Sequence, residues 1–207
     1  MIYKKFITFE GGEGSGKSTQ IKLLAKKLIP SSQICLTREP GGTKSAEQIR
    51  RLLVTGKVDK WSSLSELLLL FAARKDHVDK LILPALSNNK WVLCDRFIDS
   101  TYVYQGMCGK TSMETIKKIE NLVLGNLKPA ITFLLDIEPK IGLSRSKRPG
   151  NKELRYENMD FKFHKKVNSS YLKLARYNKK RIHVIDANKS KSEIENDIWN
   201  MIKKKTL

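Results

Sequence analysis

The fold is decided by residues 11–19, which read Gly11-Gly12-Glu13-Gly14-Ser15-Gly16-Lys17-Ser18-Thr19. They follow an apolar run at residues 6–10 and precede a helical run at residues 21–28. The pattern G-x-x-x-x-G-K-[ST] between a strand and a helix predicts a phosphate-binding loop, because its glycines let backbone N–H groups turn toward an anion at the helix N-terminus. All nine residues are therefore candidates for binding a nucleoside triphosphate.

Two side chains of this loop and two after a later strand have the chemistry of a magnesium-assisted phosphate site. Lys17 can reach the outer phosphate oxygens, and the Ser18 hydroxyl can take one Mg²⁺ position, since nucleotide-bound magnesium keeps several waters. The apolar run 91–94 ends at Asp95 and Arg96, and ligands of open α/β sheets gather at the carboxyl ends of strands. We expect Asp95 to position Mg²⁺, directly or through water, and Arg96 to hold the phosphate of a second substrate. A surface ion pair is the alternative.

The 207 residues, 40% of them apolar, can form the core of one domain that spans residues 1–207. No apolar run approaches the roughly 18 residues needed to cross a bilayer, and the first residues show no signal-peptide pattern. Cys35, Cys94 and Cys108 lack metal-ligand spacing and are expected to be reduced. We therefore expect a cytoplasmic protein without a membrane partner.

The formal net charge of +19 would suit a nucleic-acid-binding protein. The lysines, however, are scattered over every predicted helix, and no basic patch is interleaved with aromatic residues. Solvated helix faces explain most of the charge, and the remainder can attract polyanionic nucleotides in a salt-sensitive way. We therefore expect no nucleic-acid partner.

Apolar β-type runs alternate with helical runs along the chain, which predicts an α/β fold with a parallel sheet covered by helices. The expected strands are residues 6–10, 34–37, 91–94, 131–136 and 182–186. The expected helices are residues 18–28, 45–53, 64–86, 113–124, 159–177 and 192–203. Residues from about 144 to 157 are polar and basic and contain Pro149 and Gly150, so we expect them to form a mobile lid.

Four motifs together resemble those of the bacterial-type thymidylate kinases, and the resemblance covers nearly the whole chain. They are residues 9–19 (FEGGEGSGKST), 37–43 (TREPGGT), 71–74 (FAAR) and 95–106 (DRFIDSTYVYQG). The second and fourth motifs, in this order, are strongly diagnostic. The resemblance implies a three-layer P-loop nucleoside monophosphate kinase fold with a five-stranded parallel sheet, a dTMP-binding region at about 38–106 and a homodimer.

The resemblance also implies the reaction ATP + dTMP → ADP + dTDP with Mg²⁺, in dTTP synthesis, by direct in-line transfer without a covalent intermediate. It implies that Arg96 and Arg50 hold the acceptor phosphate, with Arg38 as a further candidate. Arginine suits this role because its planar guanidinium donates two parallel hydrogen bonds to phosphate oxygens. By the same resemblance, Glu13 accepts a hydrogen bond from the sugar 3′-hydroxyl. Tyr104 lies either beside the sugar C2′, where it excludes ribonucleotides, or in the core.

For the base, the resemblance implies that Arg74 donates to thymine O4 and that Thr101 and Gln105 lie near N3. Positions four apart share one helix face, so Thr101 and Gln105 can address one edge of a ligand. In the family, a stacking phenylalanine precedes the arginine by four residues, but here that position is Leu70, and the aromatic residue is Phe71. Either side chain can contact the base, and we favour Leu70 in the usual place with Phe71 nearby.

Related enzymes carry a catalytic arginine either in the phosphate loop or in the lid. In this chain Gly14 occupies the loop position, whereas Arg145, Lys147, Arg148 and Arg155 fall in the lid region. We expect Arg148, supported by Arg145, to neutralise charge on the transferring phosphoryl group as the lid closes. A solvated basic loop is the alternative.

Two other functions stay open at this point. A P-loop kinase for another acceptor, such as dUMP or a nucleoside, would share the phosphate loop. A nucleic-acid-stimulated ATPase would explain the positive charge, although the placement of arginines at strand ends argues against it.

Overall fold

The computed structural model describes residues 2–28, 33–57, 59–146, 155–156 and 159–206. The strands are β1 (Ile2–Glu10), β2 (Ile34–Arg38), β3 (Trp91–Asp95), β4 (Lys128–Asp136) and β5 (Ile182–Asp186). They form one parallel sheet in the order β2-β3-β1-β4-β5. The five-stranded parallel sheet expected from the sequence is confirmed, and β1 and β4 are longer at their N-terminal ends than expected.

Helices cover both faces of this sheet. They are α1 (Lys17–Lys27), α2 (Lys44–Val54), α3 (Ser63–His77), α4 (Leu83–Ser87), α5 (Ile98–Thr101), α6 (Met113–Leu124), α7 (Pro139–Ser146), α8 (Phe161–Tyr177) and α9 (Lys191–Thr206). Two π-helical stretches, Val78–Ile82 and Tyr102–Met107, continue α3 and α5. Among the described residues, no helix combines the length and the apolar character that a membrane crossing needs.

Neighbouring residues of β1 are buried on opposite faces of the sheet, which explains why residues 6–9 are mostly apolar rather than alternating with charged residues. Ile7 packs in a core cluster with Ile21 of α1 and Ile198 of α9. Phe6 packs in a second cluster that includes Leu67 of α3. Each face of the sheet therefore has its own helix layer and its own core, and the expected three-layer architecture is confirmed.

The strand register brings the ends of three strands to one place. Phe9 near the end of β1 pairs with Asp95 of β3 and with Phe133 of β4, and Arg38 at the end of β2 also pairs with Asp95. Because all strands are parallel, their carboxyl ends meet at one edge of the sheet. The loop after β1 therefore leaves the sheet beside Asp95 and Arg96.

The prediction of one continuous α-helix over residues 64–86 is wrong, because the chain forms α3, the π-helical stretch Val78–Ile82 and then α4. Pro84 lies in the first turn of α4. Proline has no N–H, and its ring would clash with a carbonyl four residues earlier in a continuous α-helix, so the wider π turn accommodates it. The sequence analysis also missed α5 and α7, which follow β3 and β4 after only a few residues.

Candidate active site

A cavity of about 780 Å³ lies at the carboxyl edge of the sheet. Every predicted site residue that the structure describes lines this cavity, except Gly11, Gly12 and Phe71. Arg148 and Lys147 lie outside the described residues. Residues that are up to about 180 positions apart in the sequence, from Glu13 to Ile194, thus meet around one space.

Gly14 allows the phosphate loop to pack directly on the backbone of α7. Its φ is +65°, and a Cβ at this position would lie 1.9 Å from the carbonyl oxygen of Gly142. A Cβ on Gly142 would in turn lie 2.4 Å from the carbonyl oxygen of Glu13. A side chain at position 14 would therefore displace α7, which leaves no room there for an arginine of the loop-supplied type.

Lys17 folds back onto the phosphate loop. Its Nζ donates to the carbonyl oxygens of Gly11 at 3.2 Å and Gly12 at 2.9 Å. Burial, and then the nearby charge of Arg96, lower the pKa of Lys17, while Asp95 and neighbouring carboxylates oppose this shift. Phosphate oxygens are acceptors of the same kind as these carbonyl groups, so the ammonium can exchange one set of partners for the other.

The two predicted Mg²⁺ ligands are already in contact. The Ser18 hydroxyl, at the start of α1, donates a 2.8 Å hydrogen bond to Asp95 Oδ2 at the end of β3. Magnesium takes oxygen ligands and, when bound to a nucleotide, needs only one or two from the protein, since phosphates and water complete its shell. The residues present therefore fit a nucleotide-bound magnesium ion.

Arg96 lies at the centre of the site in a left-handed backbone conformation, with φ of +66°. Its Nη2 donates to Glu13 Oε1 at 2.8 Å, and its Nη1 donates to Tyr171 Oη at 3.1 Å and Ser100 Oγ at 3.3 Å. Its guanidinium also lies over the Tyr104 ring, 5.3 Å from the centroid. These contacts fix the position of a permanent cation beside the phosphate loop.

Glu13 lies between Arg96 and Tyr104. Its Oε1 accepts from Arg96 and, at 3.2 Å, from the Tyr104 hydroxyl. Burial works to raise the pKa of Glu13, but the charges of Arg96 and Lys17 outweigh it and hold that pKa below its ordinary value. Glu13 is therefore an ionised acceptor in the wall of the cavity.

Glu10, the last residue of β1, is a buried carboxylate that the sequence analysis did not single out. It accepts hydrogen bonds from the backbone N–H groups of Phe97 at 2.8 Å and Ser100 at 3.2 Å. Its other oxygen accepts from the hydroxyls of Ser100 at 2.6 Å and Tyr171 at 2.9 Å. Since both hydroxyls also contact Arg96, Glu10 holds the backbone and the side chain of that arginine. An acid at the end of an otherwise apolar strand was the available signal.

Arg38 and Arg50 line the cavity on the side of β2 and α2. The guanidinium of Arg38 donates to both carboxylate oxygens of Glu47, at 3.0 and 3.4 Å. Arg50 Nη1 donates to the carbonyl oxygen of Pro40 at 2.8 Å. Both cations are thus oriented by the loop and helix that follow β2.

Arg74 lines the cavity and is buried, with 3% of its side chain exposed. Its Nε donates to Glu39 Oε2 at 2.6 Å, and its Nη2 donates to Thr101 Oγ1 at 3.0 Å and to the carbonyl oxygen of Phe97 at 3.3 Å. Its Nη1 has no hydrogen-bond partner among the described residues. One pair of N–H donors is therefore available to a ligand, whereas the rest of the guanidinium is fixed.

Leu70, and not Phe71, lines the cavity. Phe71 is 2% exposed and packs in the core cluster beneath the sheet, with the guanidinium of Arg74 5.0 Å from its ring centroid. Adjacent residues of a helix point about 100° apart, so only one of the two can face the cavity. The expectation that Phe71 is a substrate contact is corrected, because its side chain supports Arg74 from the core.

Gln105 connects the cavity to the far end of the predicted lid. Its Nε2 donates to Glu66 Oε1 at 2.8 Å and to Tyr156 Oη at 3.2 Å. Arg155 forms a buried ion pair with Glu66, so it is not one of the exposed lid cations that the sequence indicated. Tyr156 lines the cavity and was missed by the sequence analysis, although an aromatic residue beside a lid arginine was a visible signal.

The beginning of the predicted lid is helical. Residues 144–146 form the last turn of α7, which corrects the expected lid boundary at this end. Arg145 lines the cavity, and its Nη1 lies 3.5 Å from the carbonyl oxygen of Ala187. The cation is thus carried by the same helix that packs on the phosphate loop through Gly142.

Comparison with known proteins gives one consistent result. A family model described as thymidylate kinase matches residues 9–198. A thymidylate kinase of Caulobacter vibrioides is 46% identical over 183 residues, which cover 88% of each chain. One of Bradyrhizobium sp. (strain ORS 278) is 42% identical over 204 residues, which cover 97% of this chain and 90% of the relative. The crystal structure of a thymidylate kinase from Ehrlichia chaffeensis has a TM-score of 0.78 and 35% identity, and the match covers 95% of this chain and 97% of that chain.

Glu10 leads to a prediction about stability and pH. Burial, and then the charge of Asp99, raise the pKa of Glu10 from its ordinary 4.5 to about 7. The folded protein therefore binds this proton more tightly than the unfolded chain does, which stabilises the fold fully at low pH and is lost as pH rises through about 7. Relative to Glu10→Gln, the wild-type Tm should fall between about pH 5 and 8 in thermal melts.

Glu13→Gln is the matched control, because the pKa of Glu13 is shifted downward. In the comparison with Glu13→Gln, the wild type should lose stability relative to the variant only as the pH falls below the ordinary pKa of a glutamate. Parallel Tm profiles for wild type and Glu10→Gln across neutral pH would contradict the prediction.

Proposed function

Because this chain belongs to the thymidylate kinase family and phosphorylates dTMP to dTDP with ATP in dTTP synthesis, we propose that its cavity holds the two nucleotides with their phosphates facing each other. The phosphate loop, Arg96, Arg74 and Gln105 all line this cavity, and in our proposal Arg96 lies between the loop and the base-binding end formed by Arg74 and Gln105. The observation that carries this proposal is the convergence of the loop and these arginines on one space of about 780 Å³. The ATP phosphates bind the loop, and the dTMP phosphate binds near Arg96.

The transfer needs position and charge rather than a general base. The acceptor phosphate of dTMP already carries an anionic oxygen at neutral pH, so no side chain must remove a proton before attack. Arg96 and Arg50 hold that phosphate, with Arg38 as a further contact, and Lys17 binds the outer phosphates of ATP. In-line attack then proceeds without a covalent intermediate, because aligned phosphates and fixed cations lower the barrier by orientation and electrostatics.

Ser18 and Asp95 would hold Mg²⁺ at the ATP phosphates. Their 2.8 Å contact and their oxygen ligands support this assignment. When bound, the ion neutralises charge on the phosphate oxygens.

The thymine ring binds between Leu70 and the polar end of the cavity. The Nη1 group of Arg74 donates to O4, which satisfies a buried donor that has no described protein partner. Thr101 and Gln105 lie near N3, and Leu70 forms the apolar wall against the ring.

Glu13 and Tyr104 contact the deoxyribose. Glu13 is an ionised acceptor for the 3′-hydroxyl, and Tyr104 is held beside it by the 3.2 Å hydrogen bond between the two side chains. In this proposal the ring of Tyr104 would meet a 2′-hydroxyl and so select deoxyribonucleotides, and its hydrogen bond to the proposed sugar-binding Glu13 supports that role.

The lid region supplies the last cation. The packing of Gly14 on Gly142 supports a lid-supplied arginine, since position 14 has no room for a side chain. Arg148 neutralises charge on the transferring phosphoryl group as the lid closes, and Arg145 assists from the end of α7.

Two copies of the chain associate through the helix layer formed by α2, α3 and α6. Leu64 and Leu68 of α3 are 52% and 51% exposed, and Leu122 of α6 is 84% exposed. These leucines lie on helices that pack against each other. Burying each of them would contribute about 1–2 kcal/mol to association, which supports a homodimer.

The enzyme acts in the cytoplasm. Cys35, Cys94 and Cys108 are all free thiols. Free cysteines are typical of a reducing compartment.

Turnover with a panel of acceptors tests the substrate. The rate of ADP release in the presence of Mg²⁺ is measured with a coupled assay. We expect it to be highest with dTMP and very low with UMP and thymidine, because UMP adds a 2′-hydroxyl and thymidine lacks the phosphate. Chelation of Mg²⁺ should abolish turnover. Faster turnover of another acceptor would overturn the dTMP assignment, and ADP release that needs DNA or RNA and ignores dTMP would replace it with a nucleic-acid-stimulated ATPase.

The lid cation is tested by Arg148→Ala. We expect kcat to fall by orders of magnitude with little change in dTMP affinity, because the contact forms only in the transition state. Arg145→Ala should show a smaller loss. Lys147→Ala removes a charge from the same segment and serves as control; equal losses for Arg148→Ala and Lys147→Ala would argue for a solvated basic loop.

Assembly is tested by sedimentation of the wild type and of Leu68→Glu. The wild type should sediment as a dimer, and the buried charge should shift the variant toward monomer. Tyr177→Glu, at an exposed position of α8, should leave the dimer intact. A monomeric wild type at micromolar concentration would rule the homodimer out.

A further inference from the structure

Behind Arg74 lies a chain of buried polar groups that the reaction itself does not use. Glu39 Oε2 accepts from Arg74 Nε at 2.6 Å, and Glu39 Oε1 lies 3.1 Å from His77 Nδ1. His77 Nε2 lies 2.6 Å from Thr37 Oγ1. Glu39 and His77 are buried, at 4% and 0% exposure. The chain therefore runs from β2 through α3 to the base end of the cavity.

Charge and protons are balanced along this chain. Burial acts to raise the pKa of Glu39, but the charge of Arg74 and the hydrogen bond from His77 hold it below its ordinary value, so Glu39 is ionised. A carboxylate only accepts hydrogen bonds, so His77 Nδ1 carries the proton. His77 Nε2 and the Thr37 hydroxyl, 2.6 Å apart, form the next hydrogen bond. Each contact between Thr37, His77, Glu39 and Arg74 Nε then joins a donor to an acceptor, and Glu39 supplies the counter-charge of the guanidinium, while Arg74 Nη1 is left for a ligand.

The same groups are packed too tightly to change orientation. A Cβ on Gly42 would lie 2.5 Å from two atoms of the His77 ring and 2.6 Å from Thr37 Oγ1. The backbone of the loop after β2 thus closes over His77. Rigid packing of a hydrogen-bonded partner is what holds a binding group within the small tolerance that recognition needs.

We propose that Glu39 and His77 are positioning residues for pyrimidine selection: they hold Arg74 so that it donates to a ring carbonyl at position 4 of the base and rejects a 4-amino group. This inference rests on the proposed role of Arg74 at thymine O4. Arginine has donors only, and the 4-amino group of cytosine is also a donor, so dCMP would leave two buried donor groups facing each other. The free-energy cost of binding dCMP is large only while the side chain of Arg74 cannot change its orientation.

The experiment measures kcat/KM for dTMP and for dCMP in the same variants. Glu39→Gln keeps the shape but removes the counter-charge. We expect its kcat/KM for dTMP to fall about tenfold, the equivalent of one hydrogen bond to a charged group. Turnover of dCMP should stay the same or rise, and KM for ATP should not change. The dTMP to dCMP ratio should therefore fall about tenfold.

His77 provides the second pair of variants. His77→Phe fills the same space but cannot donate to Glu39, so the ratio should fall in the same direction. His77→Asn places an amide donor near the position of Nδ1 and should restore most of the ratio. Equal losses for dTMP and dCMP in Glu39→Gln and His77→Phe would show a purely structural role and would overturn the proposal.

Two further variants separate the possible failures. Ile198→Ala opens a core cavity on the opposite face of the sheet and should lower Tm without changing the dTMP to dCMP ratio. Arg74→Ala tests the premise: an unchanged ratio in this variant would overturn the role of Arg74 and the proposal with it. If Arg74→Ala changes the ratio but Glu39→Gln and His77→Phe do not, only the positioning role is overturned.

Discussion

The hydrogen bonds that the Glu10 carboxylate accepts are the interaction on which the rest of the site depends. Glu10 ends the central strand, immediately before the phosphate loop, and it binds the backbone that carries Arg96 in a left-handed conformation. Through Ser100 and Tyr171 it also orients the guanidinium. One buried group thereby links the glycine-rich loop, Arg96 and α8, and it does so at the edge where all parallel strands end.

A second constraint is that the buried arginines of the cavity wall are each paired with a carboxylate. Glu13 pairs with Arg96, and Glu39 pairs with Arg74. A buried cation without a partner costs several kcal/mol, and each of these pairs offsets that cost. The chain has a net charge of +19, yet Arg96 and Arg74 are each neutralised locally by a carboxylate. The excess positive charge therefore resides on exposed lysines. There it can attract nucleotides from a distance, and added salt would screen this attraction.

The sequence predicted the phosphate loop, the order of strands along the chain and most cavity residues, since each of these is recorded in local spacing. The loop follows from glycines at fixed intervals beside an apolar strand, and Asp95 follows from the abrupt end of another. The same spacing could not decide between Leu70 and Phe71, because both lie within one turn of Arg74 on α3. It also treated Arg155 as a lid cation, although Glu66 neutralises it.

What the sequence determined by itself was the fold class, the phosphate chemistry and the family, because short motifs and hydrophobic periodicity express them without knowledge of distant contacts. Only the tertiary structure decided which side chains face the cavity and which support them from behind. Glu39 reaches Arg74 across 35 residues, and Glu66 reaches Arg155 across 89. The physical reason is that a buried charge is placed by its partner, and the partner is brought to it by packing of the sheet and helices rather than by neighbouring residues in the chain.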